Sequence, residues 1–91
     1  MAKRALNPLQ AHDRVTLDHM RRVDVQGPRN WSVFIGFARR MGLTQREIAN
    51  VFPCAVSTVS RWQAGTAIPP AFVRAGLKDL LLAAIEKKVG V

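Results

Sequence analysis

The chain has 91 residues, and its 14 Lys and Arg against six Asp and Glu give a formal net charge of +8 at pH 7. This length allows one domain with a modest core, and the basic excess favours a polyanionic partner over simple solubility. No uncharged run reaches the roughly 18 residues of a membrane-spanning helix, and the basic start lacks the apolar segment of a secretory signal, so we expect no membrane association and a cytoplasmic location.

The first 29 residues are basic and carry only a weak periodic pattern. Residues 1–12 are interrupted by Asn and Pro, so we expect little order there. The apolar residues of 13–25 fit neither a helix nor a strand cleanly, and a short helix that ends at 26–28 fits best. We assign 1–29 to a partly ordered basic arm, which either lies on a nucleic-acid backbone or is a solvated linker that covers part of the core.

The next helix is predicted from Asn30 to about Met41, with Asn30 as its N-cap and Gly42 as its stop. Arg39 and Arg40 occupy the last turn, where cations interact favourably with the helix dipole and could also reach phosphates. The apolar residues recur at helical spacing, which is typical of a core face. They are Trp31, Phe34, Ala38 and Met41, with Phe37 beside them.

Residues 44–65 are the most informative stretch and read TQREIANVFPCAVSTVSRWQAG. Thr44 and Glu47 have the spacing of a capping box, in which each side chain satisfies the backbone N–H of the other residue. A first short helix therefore starts here. Its buried face consists of apolar residues at helical spacing, which are Ile48, Ala49 and Phe52.

A second short helix is predicted from about Ala55 to Ala64. It buries Val59 and Trp62, and its outward residues are small or polar, with one arginine. They are Val56, Ser57, Ser60 and Arg61. A short helix with this surface has the size and chemistry to enter the major groove of duplex DNA.

A final helix is predicted from about Ala71 to Lys88, after Pro69 and Pro70. Its apolar content exceeds what one buried face requires, and exposed apolar patches usually mark association sites. We therefore expect a homodimer whose interface contains Leu77, Leu81, Leu82 and Ile85. Two alternatives are that Gly76 splits this helix in two, and that the N-terminal segment folds back over it within one chain.

Little in the chain points to chemistry. Cys54 is the only cysteine, which excludes an intramolecular disulfide, and we expect it to be a small core residue. His12 and His19 are too few and too far apart for a metal site. Since the chain also lacks a phosphate-binding glycine loop and a carboxylate pair in an apolar setting, we expect no enzyme, no metal and no cofactor.

The stretch after Gly42 resembles the phage-repressor-like helix-turn-helix proteins of the Cro and XRE type. Their pattern runs Leu-Thr-Gln-x-Glu-Leu-Ala, then a Gly-Val-Ser turn, then Thr-Val-Ser-Arg-Trp-Glu-x-Gly, often followed by Pro-Pro. This chain matches without a gap at Leu43, Thr44, Gln45, Glu47, Ile48, Ala49, Thr58, Val59, Ser60, Arg61, Trp62, Gly65, Pro69 and Pro70. The resemblance covers about residues 30–88 and implies an all-α, four- to five-helix bundle of the lambda-repressor-like type.

The sequence departs from the family pattern at three positions. Pro53 replaces the turn glycine, cannot adopt a positive φ, and disfavours helical angles at Phe52. Ala55 replaces the serine that caps the second helix. Gln63 replaces an acidic residue, which removes any ion pair to the first helix of the domain. We therefore expect a remodelled turn.

The resemblance implies a repressor-like transcriptional regulator that binds a two-fold symmetric operator in double-stranded DNA as a homodimer. Residues 30–91 would form the DNA-binding domain with a C-terminal dimerisation helix. In the family roles, Gln45 and Thr66 would contact the backbone. Base edges would be faced by Val56, Ser57, Ser60 and Arg61. Further candidate phosphate contacts are Arg39, Arg40 and Arg46.

The alternative is a protein-interaction module on the same scaffold, such as an antitoxin or antiactivator with weak or no DNA binding. A scaffold alone does not determine function. The presence of Gln45, Ser60 and Arg61 on the predicted DNA face, together with the net charge, favours DNA. RNA is less favoured because the chain lacks exposed aromatic platforms for splayed bases.

Overall fold

Five α-helices make up the structure, a computed structural model that describes the backbone of residues 8–27 and 29–89. They are α1 (Pro8–Arg22), α2 (Asn30–Arg40), α3 (Gln45–Val51), α4 (Val56–Ala64) and α5 (Ala71–Val89). Within these ranges there is no strand, so the predicted all-α class is confirmed. None of the helices, as far as they are described, is long and apolar enough to cross a membrane.

The helix α1 departs furthest from the sequence prediction. Residues 8–12, for which little order was expected, belong to a 15-residue helix that starts at Pro8, whose fixed φ suits a first helical turn. The helix ends at Arg22, several residues before the predicted stop. The expectation for residues 1–7 lies outside the described part of the chain.

The described N-terminal segment belongs to the same core as the rest of the chain. Leu17, Met20 and Val25 are buried in one hydrophobic cluster with residues of α2 to α5, and α1 packs against both α2 and α5. The described residues before and after residue 29 therefore share one hydrophobic core. The alternative in which this segment folds back over the last helix describes the structure better than an extended arm.

Asn30 is the first residue of α2 rather than its cap. The N-cap is Arg29, which has helical angles and no side-chain cap bond. The Asn30 amide instead donates to the Asp24 carbonyl over 2.8 Å and so closes the α1–α2 connection. The predicted end of the helix is confirmed, since α2 stops at Arg40 and Gly42 has a φ of +97°, a conformation that favours glycine.

The predicted aromatic face of α2 is confirmed as the centre of the core. The Trp31 ring centroid lies 6.1 Å from that of Phe52 and 5.5 Å from that of Trp62, and these last two rings are also 5.5 Å apart. Aromatic pairs at these distances prefer tilted or edge-to-face geometry and add to the burial energy. The cluster joins α2, the end of α3 and α4, and so it fixes how α4 lies on the domain.

The capping box at the start of α3 is confirmed. Thr44 Oγ1 accepts from the Glu47 backbone N–H over 3.0 Å, and Glu47 Oε1 accepts from the Thr44 backbone N–H over 2.8 Å. The other carboxylate oxygen of Glu47 pairs with Lys88 Nζ at 3.1 Å. Glu47 therefore starts α3 and also ties the last turn of α5 to it.

The connection between α3 and α4 contains Pro53, whose φ cannot be positive. Positive φ among the described residues occurs only at glycines 42 and 65, so this turn has no left-handed residue. It is closed instead by the Cys54 N–H, which donates to the Ala49 carbonyl over 2.8 Å. The expectation for Phe52 was wrong, because it keeps helical angles (φ −80°, ψ −20°). Ala55 caps α4 without a side-chain bond, as predicted.

Arg74 is buried and holds the start of α5 to the connection after α1. Its Nε donates to the Pro69 carbonyl over 2.8 Å, and its Nη1 donates to the carbonyls of Val25 and Gln26 over 3.3 Å and 2.9 Å. No acidic side chain among the described residues pairs with it. This arginine is a structural brace that sequence analysis did not identify.

Lys78, one turn further along α5, caps the C-terminal end of α1. Its Nζ donates to the carbonyls of Arg21 and Val23 over 2.7 Å and 2.8 Å, and a cation is favourable at a helix C-terminus. Arg21 in turn pairs with Glu86 of α5. The α5 helix runs through Gly76 without a break, so the predicted alternative of two helices is wrong.

The burial of α5 corrects part of the predicted dimer interface. Leu81 and Ile85 are fully buried within the chain, while Leu77 and Leu82 are partly buried against the same core. A dimer of this conformation cannot present Leu81 and Ile85 to a second copy, because α1 and α2 already cover this side of α5. Among the described side chains of α5, the large apolar ones that are exposed are Phe72 (88%) and Leu80 (51%).

Glu47 should make the fold sensitive to acid. Its pKa lies below the ordinary value of 4.5 because its carboxylate accepts the Thr44 backbone N–H and lies beside Lys88. A lowered pKa stabilises the fold fully above the ordinary value, and this stabilisation is lost as the pH falls through the lowered value. Glu47→Gln keeps a carbonyl acceptor but does not titrate. We therefore expect the Tm of this variant to fall less than that of the wild type as the pH drops below about 4.5. Equal pH profiles for both proteins would contradict this.

Candidate nucleic-acid interface

One face of α4 is exposed and carries small polar side chains. Ser57, Ser60 and Arg61 are exposed, whereas Val59 and Trp62 are buried in the core. A helix repeats every 3.6 residues, so Ala64 lies on the same face, and it is exposed as well. The spacing from Ser57 and Ser60 would have identified Ala64, which the sequence analysis left out.

Val56 lies at the border of this face. It is only partly exposed and packs against the hydrophobic core. Its helical position is on the side of Ser60 that faces away from Arg61. Val56 can therefore contact a ligand on α4 only with part of its side chain, which is less than the sequence analysis expected.

Arg61 carries the only charge on this face. The ion pairs among the described residues are made by Arg21, Arg22 and Lys88, so an acidic neighbour does not hold Arg61. Its side chain is exposed. The face thus offers a long, charged donor at one edge of a surface that is otherwise small and neutral.

Thr66 closes the C-terminal end of α4. Its backbone N–H and its hydroxyl both donate to the Arg61 carbonyl, over 3.0 Å and 3.3 Å, and Gly65 before it has a φ of +81°. A hydroxyl has one proton to donate, and phosphate oxygens only accept. The Thr66 hydroxyl would have to break its hydrogen bond to the Arg61 carbonyl before it could donate to a phosphate. Its predicted contact with the DNA backbone therefore competes with this capping bond.

Gln45 and Gln63 join α3 to α4 through their side chains. The Nε2 of Gln45 donates to the Oε1 of Gln63 over 2.9 Å, and the hydroxyl of Ser32 donates to the Gln63 carbonyl over 3.0 Å. Gln63 is uncharged and cannot form an ion pair, but its neutral hydrogen bond with Gln45 connects α3 and α4. Sequence analysis did not identify this contact.

Basic side chains surround the turn between α2 and α3. Arg39 and Arg40 are exposed at the end of α2, and Arg46 is exposed in the first turn of α3. The Arg40 guanidinium lies 5.7 Å from the centroid of the Phe37 ring. The side chain of Lys88, which belongs to α5, lies beside Gly42 of this turn. The predicted phosphate contacts therefore share one end of the bundle, next to Gln45.

The described residues offer little to a metal or a nucleophilic reaction. No group of three or more His, Cys, Asp or Glu side chains in this part of the chain could hold a metal ion. Cys54 is half-buried against the core, and burial raises the pKa of its thiol. A thiol with a raised pKa is a weak nucleophile at neutral pH.

Comparison of the chain with protein-family models, with curated proteins and with solved structures finds no match in any of the three. The assignment of a function therefore depends on the residues and contacts described above.

Proposed function

We propose that this protein is a sequence-specific, repressor-like transcriptional regulator that binds duplex DNA, with α3 and α4 as a helix-turn-helix motif. The observation that carries the proposal is the outward face of α4. Its small side chains would let the helix backbone come close to the floor of the major groove, and Arg61 would reach a base edge. Val59 and Trp62 anchor the opposite side in the core, so the helix would dock as a rigid element.

The distribution of charge supports binding to the DNA backbone. Arg39, Arg40 and Arg46 are exposed at the end of α2 and the start of α3, and α3 packs against α4. Cations beside a reading helix position a protein on phosphates, while the contacts to bases carry the sequence information. Gln45 precedes Arg46 in the first turn of α3 and contacts Gln63 of α4, and its amide would donate to a phosphate oxygen.

A homodimer would place two copies of α4 in successive major grooves, about 34 to 36 Å apart, on a two-fold symmetric operator in the cytoplasm. In place of Leu81 and Ile85, we propose that the exposed side of α5 forms the interface. This side combines two large apolar residues with small ones, namely Phe72, Gly76, Leu80 and Ala83.

The same surface of α5 favours the second candidate function, a protein-interaction module. Phe72 is 88% exposed, and a large exposed aromatic residue is typical of contact sites between proteins. In this alternative, α5 would bind an apolar surface of a different protein, and the α4 face would have no ligand.

Arg61 provides the test that separates the two candidates. Arg61→Ala should cost about 1 to 3 kcal/mol per half-site of a specific duplex and relax the preference at one guanine in each half-site, because arginine pairs with the O6 and N7 acceptors of guanine. Arg39→Ala is the matched control, and it should weaken specific and scrambled duplexes alike. Dissociation constants for each protein on both duplexes, measured by fluorescence anisotropy, give the comparison. An equal loss on the two duplexes for Arg61→Ala would exclude base reading by this residue.

A further inference from the structure

Gln63 is an exposed residue that is nevertheless held at both its backbone and its side chain. Ser32 of α2 donates to its carbonyl, and Gln45 of α3 donates to its Oε1, over 3.0 Å and 2.9 Å. An exposed glutamine ordinarily keeps most of its rotamer freedom, because fixing the side chain costs entropy. Three helices meet at this residue, and its amide is directed towards α3.

The contact determines how the Gln45 amide is oriented. A glutamine amide is planar and has two N–H donors. One of the two N–H groups donates to Gln63. The amide can then only rotate about this hydrogen bond, which restricts the directions in which the second N–H can point. Gln45 is also half-buried. The remaining donor is therefore oriented before any ligand arrives.

We infer that Gln63 is a positioning residue that holds the amide of Gln45 against one phosphate of the DNA backbone. The inference depends on the proposed function, because it assigns a further residue to the same interface. Gln63 belongs to α4, so this hydrogen bond couples the position of α4 in the major groove to the contact that Gln45 of α3 makes with the DNA backbone. Groups oriented in advance lose less entropy on binding.

The neutral charge of Gln63 is part of the inference. A carboxylate at this position would still accept from Gln45, yet it would place a negative charge close to the phosphate that Gln45 contacts. The amide supplies the acceptor without that repulsion. Gln63→Glu therefore separates the two properties, since it keeps the hydrogen bond and changes only the charge.

Two variants and their combination test the inference. Gln63→Met removes the acceptor at nearly constant size, and Gln45→Met removes the donor. Each should weaken binding to duplex DNA about threefold to tenfold per half-site, the effect of one neutral hydrogen bond, and the double variant should lose no more than Gln45→Met alone. Gln26→Met, at another exposed glutamine, is the matched control and should bind as the wild type does.

A scan with single methylphosphonate substitutions provides a readout that a purely structural role would not move. Wild-type protein should lose affinity when one particular phosphate is neutralised, and both Met variants should be insensitive to that same substitution. Gln63→Glu should remain sensitive there. It should bind more weakly than the wild type at low salt, and this difference should shrink as added salt screens the charge.

Additive losses in the double variant, or a Gln63→Met protein that keeps full sensitivity at that phosphate, would overturn the positioning role while DNA binding itself stands. Failure of the wild type to bind any duplex would instead overturn the proposed function, and the role of Gln63 with it.

Discussion

Affinity for duplex DNA should fall by about 10³ to 10⁵ between about 50 and 200 mM salt, if a dimer neutralises about 6 to 10 phosphates. The exposed cations that would contribute most are near α4 and the α2–α3 turn, namely Arg39, Arg40, Arg46 and Arg61. The ion pairs of the described residues involve other cations. These four arginines are therefore not neutralised within the protein and would release counterions from the DNA.

Anisotropy titrations at several salt concentrations give the slope of log affinity against log salt. Arg46→Ala removes one cation from each protomer of the dimer and should therefore reduce this slope by about 2. Arg22→Ala is the matched control, since Arg22 is exposed but already pairs with Asp18 on α1, and it should leave the slope nearly unchanged. Tight binding with almost no salt dependence would contradict a backbone contact of this size.

Replacing Arg74 should produce the largest loss of stability among the charged residues described above. Arg74→Met keeps much of the volume but leaves the carbonyls of Pro69, Val25 and Gln26 without their donor. A buried acceptor that loses a charged donor costs about 1 to 3 kcal/mol. The bonds to Pro69 and Val25 are buried and the bond to Gln26 is partly buried. Since water can replace the donor at Gln26, we expect a total of about 2 to 4 kcal/mol after relaxation. Each kcal/mol lowers the Tm by about 4 to 8 °C in a domain of this size.

Two further variants sharpen the comparison. Arg74→Lys should also destabilise, because one ammonium group cannot reproduce the planar fork that reaches three carbonyls. Arg39→Met replaces an exposed arginine and should change the free energy of unfolding by less than about 0.5 kcal/mol. Urea unfolding followed by circular dichroism measures all three. An Arg74→Met protein as stable as Arg39→Met would show that the buried guanidinium does not brace the fold.

The helices α2 to α5 could be predicted closely because local signals mark their ends. The capping box at Thr44, the glycines 42 and 65 with positive φ, and Pro70 before α5 each act within a few residues. Local sequence therefore contains most of the information about where these helices start and stop.

The role of α1 could be predicted only as one of several alternatives, because its partner surface on α5 is distant in sequence. Leu17 and Met20 are its fully buried apolar side chains among the described residues, which leaves a weak periodic pattern. The burial of Arg74 could not be predicted for the same reason, because its acceptors at Val25 and Gln26 lie far away in sequence, in the connection after α1. A surplus of apolar residues in α5 indicated a covering surface, and the N-terminal segment was one candidate for it beside a second copy of the chain.

For the candidate interface, periodicity correctly predicted that Ser57, Ser60 and Arg61 point outward, because burial of Val59 and Trp62 fixes the helix face. It placed Val56 too far outward and left out Ala64. The contacts of Gln63 and Thr66 could not be predicted, since both depend on how helices meet or end in space. Sequence patterns give the orientation of a helix more readily than the partners of its polar side chains.

Selection of binding sites from random duplex DNA with purified protein tests the central claim most directly. The proposal predicts an enriched, two-fold symmetric motif whose half-sites lie about 10 base pairs apart from centre to centre. Selection with Arg61→Ala should give the same motif with one guanine position relaxed in each half-site. A wild-type pool that shows no enrichment over the starting library would contradict sequence-specific DNA binding by this protein.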